Sequence, residues 1–497
     1  MKFLLKDNMM QFLQEKYQRE DLAGYIIKSY DQWLNHSSLL EKISGFSGSN
    51  GLLIVTDKEK LFFTDSRYLV QAKLELSEDT TILDSYDPAS SKVLAGLKGK
   101  KLGLDPKLFT DKEINYFEKH GITIVEKTLF ADEVPENSSI FELDLSIVGL
   151  TQEEKIQLVL KKLPPELDYL IINSPASFNW LLNLRGKDLP HSPFLLGYAV
   201  LDCKKASIKL FANSKDKVSG IEIAAISALE ASLDLNKTYA VTYPTRYFTQ
   251  KIPKLLKIVD PILAIKAIKN PAEIEGMRKA QEADSLAFKK FILWLEEVKN
   301  NTQSLDELTI VEKIYQCRKE DPTFMSESFA TIAGYGSNSA IVHYHPTEKS
   351  NKNCLGEIPI LLLDSGGQYY SGGTTDITRV FALGEVPERV KELYTDLLKG
   401  HLALASAIFP RGTNGAQLEV LARYFLWKQG LDYGHGTGHG VGHFSAVHEG
   451  PQALSRHNDV PLEVGMIVSI EPGYYEEGAF GLRIENLYLV QEAPNNF

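Results

Sequence analysis

At 497 residues the chain is too long for one ordinary hydrophobic core, and its length suggests roughly two to four domains. Hydrophobic residues at 43% and charged residues at 24% are the proportions of a globular protein in water. A net charge of −11, from 54 basic and 65 acidic residues, argues against nucleic acid or an anionic membrane as the main partner.

The opening stretch, MKFLLKDNMM, breaks its apolar run at Lys6, too early for a secretory h-region. No later stretch is apolar for long enough to span a bilayer. Cys203, Cys317 and Cys354 are scattered, with no CxxC pair, so neither a disulfide framework nor a zinc ribbon is supported. A reducing cytoplasm is the expected compartment.

The first half carries a faint repeat. GYIIKS (24–29) precedes GLLIVTD (51–57), and DYLIINS (168–174) precedes GYAVLDC (197–203) at nearly the same offset. Two tandem α/β domains of one design are expected, over 1–130 and 131–265, the first closing after GITIVEK. Trp180, in FNWLL, sits at helical spacing and reads as core.

A third domain, 266–497, opens on a helix with Asn270 as N-cap, Pro271 at the first helical position and Glu273 completing a capping box. SLDELTIVEKIYQ repeats the device with Ser304 and Glu307. A long helix begins near Pro387, and another runs from about Gly415 to a C′ stop at Gly430. The apolar runs PILLLD, DITRVFAL, GMIVSIEP and GLRIENLYLV read as strands, making this part mixed α+β.

Histidine is concentrated in that third domain. Eight of eleven (343, 345, 401, 435, 439, 443, 448 and 457) lie there, against His36, His120 and His191 upstream. The run GHGTGHGVGHFSAVHEG (434–450) follows a helix and lacks the G-x-G-x-x-G spacing, which argues against a dinucleotide loop. Its alternating glycines let the backbone pass close to a neighbour. Beyond it, MIVSIEPGYYEEGAFGLRIENLYLV reads as a hairpin with Glu471 ending one strand and Glu485 on the other. A buried acid costs several kcal/mol unless it is paired or binds metal. One glutamate has Arg483 or Arg379 as a partner. Two, with Asp364 and Asp376 on another strand pair, outnumber the local arginines. Four carboxylates and an imidazole converging are a donor set for two divalent cations.

DSGGQYYSGGTTDITR, IVHYHP, HGTGHGVG…VHEGP and EPGYYEEGAFGLRIEN together resemble the catalytic domain of the aminopeptidase P (Xaa-Pro aminopeptidase) family of pita-bread metallopeptidases. ISGFSGSNGLLIVTDKEKLFFTDSRYLVQA and FNWLLNLRGKDLPHSPFLLGYAV resemble the two creatinase-like N-terminal domains of its three-domain members, so the resemblance covers nearly the whole chain. It implies Asp364 on one metal, His439 and Glu471 on the other, and Asp376 and Glu485 bridging both. It also implies that Arg483 pairs with ligand carboxylates, and that His343, His435 and His448 are the histidines beside the metals. A metal-held water would attack the scissile carbonyl, with Glu471 passing a proton to the leaving nitrogen and His343 hydrogen-bonding the intermediate. His345 and His443 read as ordinary loop histidines. Tyr474, Tyr475 and Phe480 either pack the turn or line a proline pocket. The substrates implied are peptides with proline second. Mn²⁺ is the leading metal, with Zn²⁺ and Co²⁺ as alternatives, and a cytoplasmic homodimer is expected. The rival readings are a prolidase restricted to Xaa-Pro dipeptides, metal-free creatinase-like hydrolysis, and a binding protein that has lost catalysis. The chain stops at Phe497 without the C-terminal extension of some relatives.

One departure from the family pattern stands out. Asp364 and Asp376 are twelve positions apart where eleven is usual. Keeping both on one face requires a turn or bulge to absorb the extra residue, and the glycines at 366–367 and 372–373 suggest a flexible hairpin tip.

Overall fold

Short apolar runs bounded by turns become strands throughout the first half of the chain. The computed structural model describes residues 2–30, 38–85, 87–130, 134–299, 305–354 and 358–493, leaving His36 and Ser304 outside the described residues. Strands β1 (Gly24–Lys28), β2 (Leu52–Thr56), β3 (Lys60–Thr64), β4 (Thr80–Asp84), β5 (Lys101–Leu104) and β6 (Thr123–Glu126) order as β4-β3-β2-β1-β5-β6. After β7 (Ile140–Glu142) come β8 (Tyr169–Ile172), β9 (Leu184–Gly186), β10 (Tyr198–Asp202), β11 (Ser207–Phe211), β12 (Glu222–Ala224) and β13 (Tyr239–Val241). Here the order is β12-β11-β10-β8-β13, with β9 pairing back to β7.

The two sheets share one topology. β1 pairs antiparallel with β2 and parallel with β5, as β8 does with β10 and β13. Each continues through an antiparallel hairpin, β2/β3 or β10/β11, to a parallel edge strand, β4 or β12. The expected repeat is one design used twice, with β6 added to the first copy. Trp180 lies in the second core at 6% exposure, but its indole N–H also donates to Glu273 Oε1 at 2.9 Å, tying that core to the third unit.

The third unit begins on the helix Pro271–Val298. Asn270 accepts from the backbone of Ala272 and Glu273, and Glu273 accepts from Asn270 N, completing the expected capping box. The next helix, Glu307–Lys319, differs from expectation: its N-cap is Asp306, which accepts from Thr309 N. Glu307 turns inward instead and accepts from Tyr335 N, Tyr344 Oη and Lys352 N, which makes it a buried brace rather than a cap. The helices Glu388–Ala405 and Gly415–Trp427 pack together outside the strands, and Gly430, at φ +73°, stops the second.

Two hairpins form the floor of this unit. β16 (Ile360–Ser365), β17 (Gly367–Tyr369), β18 (Gly373–Thr374) and β19 (Ile377–Ala382) make the first. It lies beside β14 (Phe324–Glu327) and β15 (Ile332–Tyr335). β20 (Gly438–His439) pairs with β21 (Ala453–Leu454). β22 (Ile467–Ile470), β23 (Gly473–Glu476), β24 (Phe480–Arg483) and β25 (Asn486–Leu489) make the second hairpin.

Candidate dinuclear metal centre

Each hairpin keeps one register along its length and breaks its ladder where its acids sit. In the first, Asp364 opposes Thr378, and beyond the break Gln368 opposes Thr374 in the same register. An even separation of the aspartates, closed by the three-residue tip 370–372, puts both on one face with no bulge between them. The register shift falls on the third strand, between Phe324 and Ser326. The glycines are therefore packing positions, not the flexible tip the sequence suggested. A Cβ on Gly366 would overlap the Thr375 carbonyl oxygen, and one on Gly373 would overlap Ala280 Cβ. Gly372 alone among them needs the left-handed region, at φ +96°.

In the second hairpin the register of Ile470↔Asn486 and Gly473↔Arg483 places Glu471 opposite Glu485. The break there frees Glu471 N to donate to Thr437 O and Glu485 N to donate to Thr378 O. The two acidic faces meet. Asp376, His439 and Glu485 present ligand atoms within 4.8 Å of one another. His439 Nε2 stands 3.4 Å from Asp376 Oδ2 and 3.4 Å from Glu471 Oε1.

The glycine alternation in 434–442 brings His439 to this point. A Cβ on Gly438 would overlap Ser469 O, and one on Gly440 would overlap Glu449 O, so only glycine lets this strand lie against β22. His439 Nδ1 bonds to Gly440 O at 2.9 Å, which assigns the proton to Nδ1 and turns the Nε2 lone pair toward the carboxylates.

Three of the four acids are held by one oxygen. Arg483 Nη2 donates to Asp364 Oδ2 at 2.6 Å, Thr378 Oγ1 to Glu485 Oε2 at 2.7 Å, and Ser469 Oγ to Glu471 Oε1 at 3.1 Å. Asp364 Oδ1, Asp376 Oδ1 and Glu485 Oε1 are buried with no hydrogen-bond partner among the described residues. Burial and the neighbouring Asp364 and Glu471 push Asp376 well above the usual carboxylate range. Burial, Asp376, Glu471 and Asp364 do the same to Glu485. Burial also raises Glu471, against the pull of His439 and Arg483. Bare oxygens beside a presented imidazole nitrogen are a hard donor set that divalent cations satisfy, so the residues fit a metal pair.

The expected histidines surround this cluster. His448 is exposed to the cleft, its ring edge-on to His439 with centroids 4.2 Å apart. The loop bearing it is fixed from beneath, where Arg185 donates to the carbonyls of His443 and Phe444 and Lys266 pairs with Glu449 at 2.8 Å. His435 Nε2 accepts from Tyr475 Oη at 2.9 Å, and Tyr475 in turn accepts from Arg483 Nη1 at 2.7 Å. Burial and Arg483 hold His435 down to about 3, so its ring is neutral. His343 lines the cleft, and burial, Arg67 and Arg483 lower its pKa well below the ordinary value. His345 bonds to Thr331 O, and His443 is buried against Gly276 and Gly372, away from the cleft. Phe480 and Tyr474 join the core under the hairpin, whereas Tyr475 joins the Arg483–His435 chain.

A cleft of about 800 Å³ opens over the cluster, and one wall comes from the first unit: Tyr30, Ser49, Asp65, Ser66, Arg67 and Asp84. Sequence reasoning missed this wall, because nothing local to those residues points to acids some three hundred positions later. It also missed Thr378 and Ser469, which lie two positions from an acid on the same strand face, a spacing that was legible.

Residues 275–492 match the model of metallopeptidase family M24, and residues 10–126 and 132–273 each match a creatinase/prolidase N-terminal domain. The chain is 36% identical to aminopeptidase P2 of Arabidopsis thaliana, covering 92% of this chain and 73% of that one. It is 34% identical to Xaa-Pro aminopeptidase 1 of Dictyostelium discoideum, covering 96% and 84%. Among solved structures, the X-prolyl aminopeptidase of Caenorhabditis elegans, described as a cytosolic enzyme with a dinuclear active site, superposes with TM-score 0.89. It is 28% identical, over 99% of this chain and 88% of that one.

Proposed function

This chain belongs to the Xaa-Pro aminopeptidases of metallopeptidase family M24, and we propose that Asp364, Asp376, His439, Glu471 and Glu485 hold the two divalent cations of its active site. It is a metal-dependent aminopeptidase acting on peptides that begin Xaa-Pro. The observation that carries the ligand assignment is the set of bare, buried oxygens on Asp364, Asp376 and Glu485 around His439 Nε2. Asp364 would serve one cation, His439 and Glu471 the other, and Asp376 and Glu485 would serve both.

Bound there, two cations supply a water nucleophile of lowered pKa and a Lewis acid for the scissile carbonyl. The chain supplies the rest. Glu471, aimed by Ser469, takes up a proton and returns it to the leaving proline nitrogen. His343, kept neutral, donates a hydrogen bond to the carbonyl oxygen as that oxygen gains charge. His435 and His448 border the proline side of the cleft, and Arg483 fixes which Asp364 oxygen faces the metals.

The oxygen-rich donor set suits Mn²⁺ first, with Zn²⁺ and Co²⁺ behind it. The test is metal analysis with and without Mn²⁺, followed by turnover of an Xaa-Pro-Yaa tripeptide and an Xaa-Pro dipeptide. Mn²⁺-stimulated release of the first residue, faster on the tripeptide and lost in Asp376→Ala, is expected. Unchanged turnover in that variant overturns the ligand set, and preference for the dipeptide favours a prolidase.

A homodimer is part of this proposal, supported by exposed Leu402, Val420, Tyr424 and Trp427 on the paired outer helices; light scattering should give the mass of two chains. A cytoplasmic location is supported by three free cysteines and by the description of the Caenorhabditis elegans enzyme as cytosolic. The proposed division is 1–130, 131–265 and 266–497, to be checked by limited proteolysis.

A further inference from the structure

Arg67 belongs to the first unit yet faces the cleft, its side chain 33% exposed. It is built in rather than loose. Its Nε donates to Asp65 Oδ1 at 2.8 Å and its Nη2 to Asp65 Oδ2 at 2.7 Å, a bidentate pair on a carboxylate that is itself 7% exposed. Asn50 Nδ2 and Arg67 N donate to that same carboxylate. The guanidinium lies 5.2 Å over the Tyr68 ring, and Tyr68 stands 4.9 Å from the ring of His343. Ser66 Oγ donates to Gly434 O at 2.9 Å, clamping the segment to the glycine-rich loop before His435. Among the described residues Nη1 takes no partner, leaving one edge of a preorganised cation toward the cleft. Arg423, also in the cleft, has every nitrogen committed to Glu419, Asp432 and the carbonyls of Tyr433 and His435.

A peptide bound with its N-terminus at the acids leaves through this cleft, and each extended residue advances it by about 3.3–3.6 Å. Arg67 lies one aromatic ring beyond His343, on the wall of the cleft that such a peptide would follow. We propose that Arg67 is a specificity-determining residue that binds the α-carboxylate of the residue after proline, so that the cleft favours Xaa-Pro-Yaa peptides with a free C-terminus. This rests on the aminopeptidase reading above. An arginine held by one carboxylate on two donors still offers its outer edge to a second, and a charge-assisted bond in a partly dry site contributes more than a neutral one.

The test compares Xaa-Pro-Ala as free acid, Xaa-Pro-Ala-amide and Xaa-Pro-Asp-amide on the Mn²⁺-loaded enzyme and on R67A and R67K. In R67A the KM for the free acid should rise about 10- to 100-fold, the loss expected for one charge-assisted hydrogen bond, while the amide moves less than threefold. R67K should recover part of the preference. The acid-to-amide ratio is read within each variant, so a partly folded preparation leaves it intact. An unchanged ratio in R67A overturns this inference alone, as does an Asp-amide peptide that fully replaces the free acid. Absence of turnover on all three peptides by the unmodified enzyme overturns the parent reading and this one together.

Discussion

Arg483 Nη2 reaches Asp364 Oδ2 at 2.6 Å, and that bond leaves Asp364 Oδ1 as the carboxylate's oxygen without a hydrogen-bond partner among the described residues. The same guanidinium donates to Tyr475 Oη and to Thr378 Oγ1, and Thr378 donates on to Glu485. One buried side chain thus orders a proposed ligand on each hairpin and, through Tyr475, the ring of His435. Four carboxylates face it, so it neutralises only part of their charge; the remainder is what makes the site a cation trap.

Arg483→Lys tests that reading. A lysine keeps the charge but cannot serve three acceptors in a planar fork. The variant should bind Mn²⁺ about 10- to 100-fold more weakly, the usual loss when a partner of a metal ligand is removed. Titration of metal into the metal-free protein measures it, and an unchanged affinity would remove Arg483 from its positioning role.

Tyr475→Phe removes one hydroxyl from the chain between Arg483 and His435. It leaves Arg483 Nη1 and His435 Nε2 buried without their partner, at a cost of about 1–3 kcal/mol. Urea unfolding of the metal-free variant reads that loss. The KM for a tripeptide should rise as well, because His435 loses its anchor. A tyrosine that only packed the turn would lose much less and leave KM alone.

Much of this site is legible in the sequence. The acids stood out because Glu471 and Glu485 interrupt strand-like apolar runs, and the glycine alternation around His439 signalled close backbone approach. Capping at Asn270 was equally local, as was the stop at Gly430. The misreadings share a cause. Ser304 and Glu307 fit a capping pattern, but Glu307 is claimed by Tyr335, Tyr344 and Lys352, partners that tertiary packing alone brings near. The glycines of 366–373 suggested flexibility because an isolated hairpin would need it, whereas here a helix and a neighbouring strand press against them. The wall holding Arg67 left no local trace, since its meaning lies in docking one unit on another.

Asp376→Asn should act oppositely on the metal-free and metal-loaded protein. Without metal, burial beside Asp364 and Glu471 makes the folded chain hold a proton on Asp376 that the unfolded chain releases at neutral pH, so an amide of the same shape should stabilise that form by on the order of 1–3 kcal/mol. With Mn²⁺, the stabilisation by metal should shrink, because a proposed ligand is lost. Thermal unfolding with and without Mn²⁺ shows both signs, and destabilisation of the metal-free form would contradict that protonation.

Lys155 gives a pH prediction away from the metals. It is buried, donating to Trp180 O and Asn183 Oδ1 with its ammonium 4.2 Å over the Trp180 ring. Burial pushes it down to about 7, Glu273 holding it up and Arg185 pressing it further down. Between about 7 and the ordinary 10.5 the unfolded chain binds a proton that the folded chain does not, so stability rises with pH across that window. The slope is at most about 1.4 kcal/mol per pH unit. The unfolding free energy of the parent minus that of Lys155→Met should climb from pH 7 to 9, and a flat difference would mean Lys155 stays charged when folded.

Gly373→Ala decides between a packed and a flexible hairpin tip. A flexible tip would be stabilised by about 0.4–1 kcal/mol when alanine narrows the unfolded ensemble. Here the new methyl would run into Ala280 on the helix Pro271–Val298, with Gly276 O of the same helix 3.0 Å away. The strand cannot simply retreat, because Thr374 next to it bonds Gln368 Oε1 and takes Ser445 N. The expected outcome is a loss of about 1–3 kcal/mol, typical of overpacking. The displacement is passed along the strand to Asp376, three residues on, so Mn²⁺ affinity should fall together with stability. Stabilisation with unchanged metal binding would restore the flexible tip that the glycines suggested in sequence.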